Sequence, residues 1–369
     1  MMVKRISYFL CVIFCVFGCG CSGKTGFTTE PATDAAVMAV TGSAVSGAGQ
    51  SALLAIKAKG KATGFRNSTL PSGAGWDRDL LADDRYIFYA DENHIIRLDR
   101  TTKEKKVIAS HKKGGNISLC QDDKFLYYVD HDDVVFKVSI NGGKREKIIT
   151  RRILEQEGYD IPYIWGVRIY KGVMYIHTKY CREIIRYFPE RKKTEKIGSA
   201  IYRSVFYKDS LYYIDRGERC LYRINLKTLK EEIVRKDPDK KEKGFIYRDL
   251  LCAGGKLYYL RGDKNQIFRY SEKGKDEPVG EKMACWNLIA GTDDKLYYCC
   301  HSEDWDYKYG PEYLGVYDGH SNTILCLMPD DVRTPAFVVG NVLYYEAKFW
   351  DENGVSMDMD YYYYKECSW

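Results

Sequence analysis

The sequence predicts an all-β protein, a β-propeller built from four-stranded blades, and three observations lead to this fold. An apolar strand pattern with a central aromatic pair returns seven times, opening at Ile87, Leu126, Met174, Leu211, Leu257, Leu296 and Leu343. The spacing between these residues averages about 43 residues, which is within the usual period of a propeller blade. Each copy also repeats the same order of apolar segments and polar turns. We therefore expect seven blades, with six and eight as alternatives, and number the copies 1 to 7 in chain order.

Copy 2 shows the pattern of the unit. The apolar segment 116–120 (NISLC) precedes a polar turn at 122–124 (DDK), where Asp tolerates the dihedral angles of tight turns. The strand 126–129 (LYYV) is apolar throughout, as expected for a strand covered on both faces. A third strand, a turn at 141–143 (NGG) and a charged fourth strand at 144–150 complete the unit, and charges on an outer strand oppose edge-to-edge aggregation.

A basic residue recurs in the third strand of the first five copies, 10 to 12 positions after the residue that opens each pair. The five residues are Arg97, Lys137, Arg186, Arg223 and Arg269. In one interpretation, each side chain pairs with an acid of a neighbouring blade or lies along the blade surface. In the other, the five form a basic ring that gathers an anionic ligand. Copy 6 departs from the pattern, because its third strand (LGVY, 314–317) has no basic residue.

Three of the copies end their aromatic strand on an aspartate: IFYAD at 87–91, LYYVD at 126–130 and LYYID at 211–215. These segments resemble the YWTD repeat of low-density-lipoprotein-receptor propellers. They are more similar still to a bacterial domain of unknown function that is common in clostridial lipoproteins. The resemblance spans residues 76–369 and implies a propeller fold. It implies no activity.

The N-terminus has the features of a lipoprotein signal. Lys4 and Arg5 precede an apolar run at 6–18 that is too short to span the roughly 30 Å hydrocarbon core of a bilayer. Residues 16–19 (VFGC) resemble the bacterial lipoprotein signal, so we expect a signal peptide at 1–18 and lipid attachment at Cys19, with Cys21 as the alternative acceptor. An ordinary secretory signal is the other interpretation. Residues 19–50 are predicted to be a flexible tether and 51–369 the propeller, with segment 51–57 supplying a fourth strand to the last copy.

Composition restricts the function classes. Lys and Arg number 57 against 51 acids, interspersed along the chain, which does not favour nucleic-acid binding. Nine of the 13 cysteines follow residue 100, and their odd number and irregular spacing do not form a disulfide framework. We expect mainly free, buried thiols and leave one disulfide open. Alternation along a strand predicts that the adjacent residues Cys299 and Cys300 face opposite sides of their sheet.

The sequence contains no nucleophile elbow, zinc-protease motif, phosphate-binding loop or dinucleotide fingerprint, so we expect no catalytic residue, metal or cofactor. Long loops on a rigid scaffold are common binding sites. The loop at 301–313 of copy 6 carries four aromatic residues among acids, and the corresponding hairpin of copy 7 carries another. These candidate ligand-binding residues are Trp305, Tyr307, Tyr309, Tyr313 and Trp350.

The sequence therefore favours a lipid-anchored module on the extracytoplasmic face of a Gram-positive cell membrane, binding or scaffolding a protein or glycan. One alternative is a carbohydrate-active lyase or hydrolase with a pair of acids at the channel mouth. Another is a sensor or assembly lipoprotein for a membrane complex.

Overall fold

The computed structural model describes residues 80–369 except 84, 91–92, 113–116, 161–162, 179–182, 199–200, 216–219, 237–246, 263, 281–283, 292, 302–311, 329–331 and 348–363. Within these residues the chain forms 27 β-strands and one short helix, which confirms the all-β prediction. The predicted signal peptide, tether and segment 51–57 lie outside the described residues.

Copies 1 to 3 each form an antiparallel four-stranded sheet. Their strands are β1 (Leu80–Ala82), β2 (Tyr86–Ala90), β3 (His94–Asp99) and β4 (Lys105–Ser110) in copy 1; β5 (Ser118–Gln121), β6 (Phe125–Val129), β7 (Val134–Ser139) and β8 (Glu146–Thr150) in copy 2; and β9 (Ile164–Tyr170), β10 (Val173–Thr178), β11 (Ile184–Phe188) and β12 (Lys193–Gly198) in copy 3. The helix α1 (Arg151–Gln156) lies between copies 2 and 3.

Copies 4 and 5 form two further sheets of the same kind, and copies 6 and 7 share one sheet. The strands are β13 (Ile201–Tyr207), β14 (Ser210–Asp215), β15 (Cys220–Asn225) and β16 (Glu231–Lys236) in copy 4; β17 (Tyr247–Ala253), β18 (Lys256–Arg261), β19 (Gln266–Arg269) and β20 (Glu277–Val279) in copy 5; β21 (Ala284–Gly291), β22 (Leu296–His301), β23 (Glu312–Tyr317) and β24 (Asn322–Leu327) in copy 6; and β25 (Val332–Val339), β26 (Val342–Ala347) and β27 (Tyr364–Ser368) in copy 7.

The sheets form a β-propeller, as predicted, but their number corrects the expected blade count. Seven separate sheets were expected, and hydrogen bonding defines six in the described residues. The difference arises between β21 and β25, where Ala290 and Gly291 pair in parallel with Phe337 and Val338 and join copies 6 and 7 into one seven-stranded sheet. The six-blade alternative is therefore the one that agrees with the sheet count.

Side-chain packing follows the copies rather than the sheets. In the described residues, seven hydrophobic clusters each join two successive copies, and the last of them joins copy 7 to copy 1. In that closing cluster, Ala82 and Ile87 of copy 1 pack with Phe337, Val339 and Tyr344 of copy 7. Because a single sheet cannot cover its own apolar faces, each copy is stabilised by its two neighbours. This packing explains why the same wall residues recur along the sequence.

The polar turn of the repeat has a separate structural role. In copy 2, Asp122 accepts hydrogen bonds from the backbone N–H groups of Lys124 (2.9 Å) and Phe125 (2.8 Å), and its second oxygen accepts one from the Tyr127 hydroxyl (2.8 Å). In copy 6, the Tyr297 hydroxyl donates to Asp293 in the same way. One aspartate thus closes the turn and satisfies a tyrosine hydroxyl that the packed strand would otherwise bury without a partner.

The cysteines match the expectation where the structure describes them. Seven are free thiols: Cys120, Cys220, Cys252, Cys285, Cys299, Cys300 and Cys326. The prediction for the adjacent pair is confirmed, because Cys299 packs between copies 6 and 7 and Cys300 packs between copies 5 and 6. No helix formed by the described residues has the length and apolar character needed to cross a bilayer.

An ion pair clamps copy 4 to copy 5. Arg235 on β16 makes two 2.6 Å contacts with the carboxylate of Asp276, which lies in the turn before β20. The Tyr259 hydroxyl and the Ser271 N–H also donate to this carboxylate. Burial alone would raise the pKa of Asp276, but the hydrogen bonds from Arg235, Tyr259 and Ser271 outweigh it and hold that pKa below its usual value.

We predict that Asp276→Asn lowers the free energy of unfolding at pH 7 by roughly 1–3 kcal/mol, the usual range for a hydrogen-bonded charged group. Because the pKa of Asp276 is lowered in the folded state, its contribution is present above the unfolded-state pKa of about 3.9 and is lost as the pH falls through the folded-state pKa. Urea denaturation between pH 7 and pH 3 should therefore show a shallower acid dependence in the variant. The matched control is Glu272→Gln, which removes an exposed pair with Lys208 and should change little. Equal losses in both variants would contradict the prediction.

Candidate functional site

The first strands of the copies form the innermost layer of the ring, because first strands of neighbouring copies contact one another. All first strands begin at the same end of the ring, which we call the entry end. Since successive strands run antiparallel, each hairpin between a second and a third strand also lies at the entry end. His301 at the end of β22 pairs with Glu312 at the start of β23, so both described ends of this hairpin lie at the entry end.

A β-bulge recurs at the entry end in five successive copies. The register between first and second strands shifts by one residue near the start of β9, β13, β17, β21 and β25. The extra residues are Trp165, Tyr202, Arg248, Trp286 and Arg333. We call these five residues the bulge set. Bulges redirect a side chain out of the regular alternation and are over-represented beside functional sites.

The bulge set combines aromatic rings with guanidinium groups. Trp165 and Trp286 are half-buried and pack against the apolar clusters of their copies, between copies 3 and 4 and between copies 6 and 7. Arg248 lies so close to Gly262, in the β18–β19 hairpin, that a Cβ there would be 2.0 Å from the Arg248 Nε. A side chain at 262 would therefore displace the Arg248 guanidinium from this position. Aromatic faces and guanidinium groups together suit sugar rings, peptides and carboxylates.

A buried ion pair lies directly beside the bulge set. Asp249 is fully buried and makes a 3.0 Å contact with the Arg203 guanidinium of β13. Its carboxylate also accepts hydrogen bonds of 2.8 Å from the backbone N–H groups of Leu250 and Leu288. One carboxylate therefore connects the first strands of copies 4, 5 and 6. Because all three donors are directed at it, the charge of Asp249 is compensated within the wall.

Other neighbouring first strands are connected by one hydrogen bond each or by backbone pairing. Arg168 of β9 donates to the Ser204 carbonyl of β13 at 2.8 Å. The Ile169 N–H of β9 donates to the Cys120 sulfur of β5 at 3.2 Å. Copies 6 and 7 use the parallel backbone pairing instead. Hydrogen bonds between neighbouring first strands thus hold the innermost layer together. They fix the position of the strands that carry the bulge set.

The seven first strands contain four arginines and a single acid. The acid is Asp249, and the arginines are Arg168, Arg203, Arg248 and Arg333. By sequence, these seven strands therefore contain three more basic than acidic residues. Such a wall favours a ligand that carries carboxylate or other anionic groups.

Two polar atoms beside the bulge of β21 lack a hydrogen-bond partner among the described residues. They are the Trp286 Nε1 and the Oδ1 of Asn287, a residue that is only 4% exposed. Asn287 occupies the position in copy 6 that Arg203 and Asp249 occupy in copies 4 and 5. It precedes Leu296 by nine residues, and they precede Leu211 and Leu257 by eight. A buried polar atom without a partner costs free energy unless water or a ligand satisfies it. These atoms make the start of β21 a candidate position for a hydrogen bond to water or to a ligand.

The β6–β7 hairpin brings further carboxylates to the entry end, but it uses them itself. Asp130 accepts hydrogen bonds from the N–H groups of Asp132 and Val134. Asp133 accepts one from the Ile164 N–H and pairs with Arg151. Burial raises the pKa of both Asp130 and Asp133. Asp130 is the aspartate of the YWTD-like pattern, and its position shows that this residue caps the hairpin.

The recurring basic residues have partners within the described structure. Four of them face a glutamate on the fourth strand of their own sheet, in the pairs Lys137–Glu146, Arg186–Glu195, Arg223–Glu232 and Arg269–Glu277. Arg97 faces Lys106 instead, and donates to the Ile140 carbonyl and the Asn141 side chain of copy 2. Cross-strand charge pairing thus accounts for the basic residue in copies 2 to 5, and binding of an anion by these residues stays a prediction.

Of the five aromatic residues predicted to bind a ligand, one lies among the described residues. Tyr313 is half-buried on β23 and packs against the cluster between copies 5 and 6. Trp305, Tyr307, Tyr309 and Trp350 lie outside the described residues, as does Cys19. The bulge set and Asp249 were not predicted from the sequence. The available signal was the polar residue that precedes the aromatic pair by eight or nine positions in copies 4, 5 and 6.

The sequence matches no protein-family model and no curated protein. Among solved structures, an oligogalacturonate lyase in complex with manganese matches with a TM-score of 0.51 at 13% identity, over 76% of this chain and 86% of that one. The structure of YCF48 bound to D1 peptide matches with a TM-score of 0.50 at 8% identity, over 75% of this chain and 91% of that one. A nidogen/laminin complex matches with a TM-score of 0.42 at 14% identity, over 65% and 98%. At identities this low, such likenesses show the propeller fold alone.

We predict that Asp249→Ala lowers the free energy of unfolding by about 3–5 kcal/mol, because it leaves Arg203 without its counter-charge and the Leu288 N–H without an acceptor. Chemical denaturation followed by tryptophan fluorescence measures this loss. The control is Asp123→Ala, since Asp123 is exposed in the turn between β5 and β6. If both variants lose the same small amount, Asp249 does not hold the first strands together.

Proposed function

We propose that this protein is a lipid-anchored, extracytoplasmic binding module of a Gram-positive cell surface, and that its ligand binds at the entry end of the propeller. The observation that carries the proposal is the bulge set, which repeats at one position in five successive copies and, at β21, lies beside two polar atoms without a hydrogen-bond partner among the described residues. In copies 1 and 2 the equivalent position precedes the paired residues of β1 and β5, so the bulge is present in every copy in which this position is paired.

The ligand class follows from the chemistry of the wall. Two arginines and three aromatic residues in the bulge set, together with the positive excess of the first strands, suit a glycan or a protein segment that carries carboxylates. The segments 302–311 and 348–363 join strands at the same end and carry Trp305 and Trp350. We propose that Trp305 and Trp350 also contact the ligand.

The N-terminal sequence supplies the location. A lipid on Cys19 would hold the protein at the membrane, and the tether at 19–50 would let the propeller reach a partner on the cell surface. A single acyl chain gives marginal binding, so the full lipoprotein modification is the anchor we expect.

We predict that Trp286→Ala combined with Arg248→Ala, and separately Trp305→Ala combined with Trp350→Ala, each weaken ligand binding at least tenfold, because buried aromatic and arginine contacts dominate binding energies. Binding is measured for the full chain against arrays of acidic glycans, neutral glycans, peptidoglycan fragments and acidic peptides.

The control for this experiment is Trp369→Ala. Trp369 donates its N–H to the Asn341 carbonyl in the turn between β25 and β26, so it lies at the opposite end of the ring. A thermal melt of every variant separates lost binding from lost folding. The proposal fails if the control weakens binding as much as the entry-end variants do, or if no class of ligand binds.

The anchor has its own test. Replacing Cys19 by Ser should abolish incorporation of a radiolabelled fatty acid and release the protein from the membrane fraction, whereas Cys21→Ser should leave both unchanged. The opposite result would assign the lipid to Cys21, and fatty-acid labelling of neither residue would contradict the lipoprotein assignment.

A further inference from the structure

Cys285 and Cys300 lie directly opposite each other at the entry end of copy 6. They are register partners in the antiparallel pair of β21 and β22. Opposite residues in such a pair have Cα atoms about 4.5–5.5 Å apart, and disulfides form over about 4.4–6.8 Å. Of the seven cysteines described above as free, these are the two that strand register places opposite each other.

Packing places the two side chains on the same face of the sheet. Cys285 and Cys300 are each 2% exposed, and both belong to the cluster between copies 5 and 6. The neighbouring thiol of Cys299 belongs to the cluster on the other face, where its sulfur lies 3.3 Å from the Met328 sulfur. Cys299 therefore cannot compete for either partner without a rearrangement of β22.

The position of the pair couples it to the proposed binding surface. Cys285 immediately precedes the bulged residue Trp286, and Cys300 is one residue from the end of β22, where the segment 302–311 begins. A covalent link between them would fix the bulge and the base of the hairpin in one geometry.

We propose that Cys285 and Cys300 form a cross-strand disulfide when a disulfide-bearing oxidant is present during folding. In the first step the thiolate of one cysteine attacks glutathione disulfide, which forms a mixed disulfide and releases one glutathione thiolate. In the second step the other cysteine attacks the mixed disulfide and expels the second glutathione. The two thiol protons pass to the two released glutathiones, and the oxidant is reduced as the protein disulfide forms.

The native environment sets when this reaction can occur. Burial raises the pKa of Cys300 to about 12 and raises that of Cys285 well above its usual value, so the folded dithiol contains little thiolate. The packed protein should therefore react slowly in either direction. Folding in an oxidising compartment is the stage at which the bridge forms, before the cluster between copies 5 and 6 closes over it.

The test is to unfold the full chain, refold it in a glutathione redox buffer and map the disulfides by mass spectrometry of unreduced peptides. We expect a peptide pair linked through Cys285 and Cys300. Its formation should raise the melting temperature by about 5 °C relative to protein refolded under reduction, because the bridge closes a loop of about 15 residues.

Three variants decide the assignment. Cys285→Ala and Cys300→Ala should each abolish the linked peptide and the redox-dependent shift in melting temperature, whereas Cys299→Ala should retain both. The proposal is overturned if the wild-type protein refolds with all these thiols reduced, or if the linked peptide contains Cys299. The mapping requires no ligand, so its outcome is separate from that of the binding experiments.

Discussion

The structure depends on apolar sheet faces that only the adjacent copies can cover. Each second strand contributes side chains to both faces of its sheet, so a copy without neighbours would leave two apolar surfaces in water. The ring resolves this by closing on itself, through the cluster of Ile87 and Phe337. Once the faces are covered, the first strands are close enough for Asp249 to receive hydrogen bonds from two other copies. The polar contacts of the inner layer are thus a consequence of the packing.

The repeat itself was the most predictable feature, because period and strand alternation are local properties of the chain. The aromatic pair located the second strand of each copy. Alternation along the strand correctly placed Cys299 and Cys300 on opposite faces. The parallel pairing of Ala290 with Phe337, which reduces the number of sheets, could not be predicted in this way. It depends on how closely the first strands of two adjacent copies approach each other. Neither strand's own sequence determines that distance.

The candidate site was less predictable for a related reason. A bulge adds one residue to one strand only, so it is visible when the register of two strands is compared and is hidden in either sequence by itself. For this reason the sequence alone does not distinguish Trp165 and Trp286 from ordinary strand residues. The basic residues were easier to find, because a charge in an apolar strand is conspicuous. Four of them pair with a glutamate on the same sheet, because residues directly opposite each other on neighbouring strands are close enough for their side chains to interact.

The adjacent thiols of Cys299 and Cys300 show that the unit of packing in this molecule is the space between two copies. A substitution at Cys299 changes the packing between copies 6 and 7, and one at Cys300 changes the packing between copies 5 and 6. Divergence of the copies is therefore constrained in pairs, because a larger side chain on one wall must be matched by a smaller one on the facing wall. Related sequences should accordingly show compensating changes between successive copies more often than within one copy, even where the repeat has become hard to recognise.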